Sequence, residues 1–80
     1  MERRQALMLG NRLLGISRLM QAGHARAAQE QMGQLKVNIG PVVIGQYQKA
    51  VSAAEKAYAA ADAEMLTIIG NGVIDSLVDK

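Results

Sequence analysis

At 80 residues and 8.6 kDa the chain makes one small domain at most, and 13 of its hydrophobic residues are alanine, so its apolar core is limited. It has no cysteine, one histidine, and only Tyr47 and Tyr58 as aromatics, which excludes disulfides, thiolate chemistry and zinc–thiolate sites; no metal or other cofactor is expected. The net charge of +2 divides unevenly: residues 1–40 carry six basic and two acidic side chains, residues 41–80 three and five, a polarity suited to packing between the halves or between copies.

Along the chain, Met1–Arg4 is followed by the apolar stretch Ala6–Leu9, but Arg12 and Arg18 soon interrupt it. A cleaved signal peptide is therefore not expected, and no apolar run approaches the roughly 20 residues of a bilayer span. A first arm, about residues 5–33, is predicted helical. Ala6, Leu9, Leu13, Ile16, Met20, Gly23 and Ala27 recur at spacings of three and four and share one face. Arg4, Arg12, Arg18 and Arg26 fall within an arc of roughly 120° on another face. Gly10, Gly15, Gly23 and Gly33 each cost a helix about 1 kcal/mol relative to alanine, so this arm requires partners to hold it, or it bends. Residues 34–40 read as a linker. Pro41, the only proline, suits the first position of a following helix.

The second arm, about residues 41–69, has the clearest pattern. A heptad places Ile44, Val51, Tyr58 and Met65 at a, and Tyr47, Ala54, Ala61 and Ile68 at d. All eight are apolar, which predicts one continuous amphipathic or coiled-coil helix. Their seam is the predicted assembly interface. The small alanines at d imply close approach of a facing helix. Residues 70–80 are ambiguous: Asn71-Gly72 could turn a hairpin, or Gly70 could end the helix with a last short helix after it. The helical spacing of Ile74, Leu77 and Val78 favours the second version.

Catalysis is not expected. His24 has no second histidine, nucleophile or same-face carboxylate beside it, and Glu55, Asp62 and Glu64 lack the Glu-x-x-His partner of a di-metal bundle. No glycine-rich phosphate loop is present, and Ser17, Ser52 and Ser76 stand in no nucleophile context. Met8, Met20, Met32 and Met65 at helical spacing read as core filling before they read as an adaptable binding surface. The arginine face has a functional alternative: phosphates of nucleic acid or of an acidic membrane. Against it stands the absence of stacking aromatics nearby. Solvated arginines, or arginines paired with the acidic second arm, are the more ordinary expectation.

Pro41 opening the second arm, with Gln46-Tyr47-Gln48 and Ser52 early in it, resembles type III secretion needle subunits. Leu66-Thr67, Gly70 and Gly72, then Ser76-Leu77-Val78, are similar to the end of the related inner-rod subunits. The resemblance covers the C-terminal half and implies a helical hairpin that polymerises into a tube conducting unfolded protein, hence an exported cell-envelope assembly. The expectation is an all-α fold: a hairpin of two long helices, oligomerising with itself and with other assembly subunits, and without enzymatic activity. A small phage or virion component, structural or ejected, fits the same composition. A basic-helix binding module is the reading from a different class.

Overall fold

The computed structural model describes residues 3–39 and 46–78, which form four α-helices and one π-helical turn. These are α1 (Arg3–Gln21), α2 (Ala25–Gln34), extended by the π-helical Leu35–Ile39, α3 (Gln46–Ala59) and α4 (Ala63–Val78). Ile44, Pro41 and the last residue of the expected linker, Gly40, lie outside the described residues; the rest of the linker, residues 34–39, is helical.

The all-helical class is as expected, but neither arm is one long helix. Each reverses midway, at residues 22–24 and at residues 60–62. The two reversals are built alike. Gly23 takes φ 84°, its N–H donates to Met20 O at 3.1 Å, and His24 N–H reaches back to Leu19 O at 2.8 Å. Thirty-eight residues later Ala61 takes φ 56°, its N–H donates to Tyr58 O at 3.0 Å, and Asp62 N–H reaches Ala57 O at 2.8 Å. Both are Schellman endings, which satisfy the last carbonyls of a helix through one left-handed residue. The following helices start differently. Asp62 caps α4, its Oδ1 accepting Met65 N–H at 3.0 Å, whereas His24 precedes α2 with no side-chain cap. The heptad seam is therefore not continuous, because Ala61 sits in the turn rather than on a helix face.

Residues 70–78 also differ from expectation: neither a hairpin nor a helix end occurs at Gly70–Gly72, and α4 runs through Gly70, Asn71 and Gly72 to Val78. The reason is packing. The α1–α4 pair is the most extensive helix contact in the molecule, and at its crossing two glycines meet. A Cβ on Gly10 would lie 2.6 Å from Ile74 Cγ1 and 3.1 Å from Gly70 O. A Cβ on Gly70 would lie 3.0 Å from Gly10 O and 3.1 Å from Leu14 Cγ. The helices approach backbone to backbone, so these glycines serve contact rather than termination.

One turn along, the buried Ser17 fixes the same pair. Its Oγ donates to Ala63 O at 2.6 Å, lies 2.6 Å from Thr67 Oγ1, and accepts from Gln21 Nε2 at 3.0 Å. Thr67 Oγ1 also donates to Ala63 O, at 3.2 Å, so the two hydroxyls converge on one carbonyl of α4. The pairings of Gly10 with Gly70 and Ile74, and of Ser17 with Ala63 and Thr67, make α1 and α4 antiparallel. The core lies beneath them: Leu9, Leu13 and Ile16 of α1, Met32 of α2, Leu35, Val51 and Ala54 of α3, and Leu66 and Val73 of α4. Tyr47 is half-buried against this core, and its hydroxyl lies 3.3 Å from Ser76 Oγ. An uninterrupted helix over residues 41–69 would be about 43 Å long, whereas the greatest dimension here is 35 Å.

Candidate functional site

The four-helix arrangement redistributes the predicted interface. Val51 and Ala54 are buried inside the chain, and Tyr47 and Tyr58 are half-buried. Ala61 is exposed in its turn. Met65 and Ile68 stand in solvent, 43% and 56% exposed. Half of the seam thus serves the protein's own core. Of the rest, Met65 and Ile68 lie on the outer face of α4, with Glu64, Asn71, Gly72 and Asp75 around them. The methionines divide too: Met32 is buried and Met20 half-buried, whereas Met8 and Met65 are exposed.

The arginines do not share one helix, because the turn at residues 22–24 puts Arg26 on α2 and leaves the other three on α1. Arg26 lies exposed in the first turn of α2, and Arg4 exposed in the first turn of α1. Arg12 and Arg18 do come together, on the walls of an open groove of about 680 Å³ along α1. Met8, Asn11, Gly15, Leu19 and Ala22 complete its α1 side, and Gln31 closes it from α2. Helical geometry accounts for this stripe, since residues 8, 12, 15, 19 and 22 recur at spacings of three and four. Gly15 forms a notch in the groove, with no atom within 4 Å of where its Cβ would stand.

Arg12 spans α1 and α2, bonding Gln31 Oε1 and, at 3.2 Å, Gln34 Oε1. Amide oxygens satisfy its donors without cancelling its charge. The groove therefore carries two guanidinium groups and no carboxylate among its lining residues. Gln31, Gln34 and Gly15 were not identified as site residues from the sequence. The Arg12-to-Gln31 pairing joins residues nineteen apart on two helices, and helix-face analysis of one continuous arm cannot produce it.

The remaining chemistry-bearing residues stay dispersed. His24 is exposed at the α1–α2 turn, and among the described residues no three metal-ligating side chains gather. Ser17 bonds across to α4, and Ser76 donates to Val73 O of its own helix and lies 3.3 Å from the Tyr47 hydroxyl. Among the described residues no helix is long and apolar enough to cross a membrane. In comparison with known proteins, no family model, no curated protein and no solved structure matches the chain.

Proposed function

We propose that the protein is a non-enzymatic structural subunit that assembles with copies of itself. The observation that carries this reading is the outer face of α4, where Met65 and Ile68 remain in solvent in a chain with little apolar surface to spare. Large apolar side chains clustered on one helix face, rimmed by polar residues, mark an interaction surface. A small domain without disulfide or metal gains stability most directly by association. A filament, needle or rod of an export apparatus is the form suggested by the resemblance of the C-terminal half, and a virion component is the alternative form. The test is molecular mass by light scattering across a wide concentration range, with electron microscopy of the concentrated sample. Growth of mass with concentration, and discrete or filamentous particles, are expected. A monomer at every concentration, with unfolding independent of concentration, would refute the proposal.

The Arg12–Arg18 groove supports a second reading, binding of an anionic partner such as nucleic acid or an acidic membrane. Two uncancelled guanidiniums beside an apolar floor suit phosphate. Phosphate binding weakens steeply as salt rises, whereas association through apolar faces persists. Changing Arg12 and Arg18 to Gln should abolish binding to duplex DNA or acidic vesicles under this reading. No binding by the unmodified protein at low salt would eliminate it.

A further inference from the structure

The α1 groove and the α4 outer face point away from each other. Met8 and Gly15 lie two residues from Gly10 and Ser17, which touch α4. Two residues are about 200° of helical turn, so the groove occupies the side of α1 remote from α4. Ile68 stands in the same relation to Gly70, and Met65 to Thr67, so their face is the side of α4 remote from α1. The two surfaces are also opposite in charge. The groove presents Arg12 and Arg18 with no acid in its lining, while α4 carries Glu64 and Asp75 and no basic residue between Ala63 and Val78. One surface is concave and notched at Gly15; the other is a helix ridge bearing Met65 and Ile68.

We propose that the α4 ridge of one copy docks into the α1 groove of the next. Ile68 enters the notch over Gly15, and Glu64 and Asp75 meet the arginines on the groove walls. The occupant is a second copy because the two surfaces are opposite in charge and each exposes apolar side chains, Met8 in the groove and Met65 and Ile68 on α4. This proposal rests on the self-assembly reading and specifies its contact. The surfaces are different and lie on opposite sides of one helix pair, so the contact is heterologous. It propagates from copy to copy, as an open filament or a ring, instead of closing a two-fold dimer.

The experiment compares the full chain with Arg18→Glu, with Glu64→Lys/Asp75→Lys, and with Gly15→Leu, by sedimentation velocity at low and moderate salt. Circular dichroism confirms that each remains helical. Gly15→Leu is the variant least able to fail by misfolding, since its Cβ meets no atom and leucine favours helix. Each variant alone should associate at least about tenfold more weakly than the natural chain. An equimolar mixture of the two charge-reversed variants should recover association, because each then offers the surface complementary to the other's altered one. If the natural chain assembles and all three variants assemble equally well, the contact lies elsewhere, and self-assembly itself stands. If the natural chain is monomeric at every concentration, both fall. If a monomeric natural chain binds phosphatidylserine vesicles or duplex DNA and Arg18→Glu does not, the occupant is anionic rather than a second copy, and the docking proposal is overturned.

Discussion

Ala61 adopts a backbone conformation, φ 56°, that costs an L-residue roughly 1–2 kcal/mol. The strain persists because α3 must end there for α4 to fold back. Ala61→Gly removes it, less the roughly 0.4–1 kcal/mol that glycine's freedom returns to the unfolded chain. A net gain of about 0.5–1 kcal/mol is expected, read as a rise in Tm of a few degrees. Gly23→Ala should show the opposite sign. The helical glycines make a second contrast. Gly10→Ala and Gly70→Ala drive a methyl into backbone at 3.0–3.1 Å and should cost about 1–3 kcal/mol. Gly15→Ala and Gly72→Ala meet nothing within 4 Å and should each gain up to about 1 kcal/mol of helix propensity. Chemical denaturation of the four variants checks the pattern, which fails if both pairs shift the midpoint in the same direction.

Helices α3 and α4 show what the periodicity carried and where it stopped. Leu9, Leu13, Ile16, Val51 and Ala54 are core residues as their spacing implies, since a helix face is a local property of sequence. The breaks are different. Ala61 belongs to the strongest helix-forming type and sits in a run of alanines, so nothing in residue type marks the end of α3. The one local sign is Asp62, whose side chain caps α4. At Gly70 the error ran the other way: a residue that usually ends helices is retained inside one because α1 lies against it. That reason is tertiary and cannot be seen from neighbours in sequence. For the same cause Val51 and Ala54, assigned from sequence to a seam between copies, lie in the protein's own core: periodicity assigns a face without saying which partner covers it. Leucine substitutions separate these roles. Ala54→Leu overfills a fully buried site and should cost about 1–3 kcal/mol. Ala61→Leu, exposed and already left-handed, should change stability far less. Comparable losses at the two positions would mean that α3 does not turn at Ala61.

At the scale of the molecule, the chain's first and last described helices form its principal contact, with Ser17 bonded to residues 46 and 50 positions away. The radius of gyration is 11.5 Å, in the range of roughly 11–12 Å expected of a folded domain of this size. The protein thus closes on itself, with the groove along α1 and the outer face of α4 among the surfaces that its described residues leave in solvent. The antiparallel register that sets Gly10 against Gly70 also brings the start of α1 beside the end of α4. Folding kinetics should register this. Each local hairpin can form quickly, but the α1–α4 docking requires closure of nearly the whole chain, an entropic cost that precedes the reward of contact. Joining residue 78 to residue 3 through a short flexible linker, and opening the chain at Ala60–Ala61, makes that docking a neighbouring-helix event. Such a permutant should refold faster than the natural order in stopped-flow experiments while retaining the same helix signal. An unchanged refolding rate would place the rate-limiting step within a hairpin. The same order has a bearing on synthesis: a ribosome makes α1 before α4, so until α4 exists the flank of α1 that carries Gly10 and Ser17 has nothing to cover it.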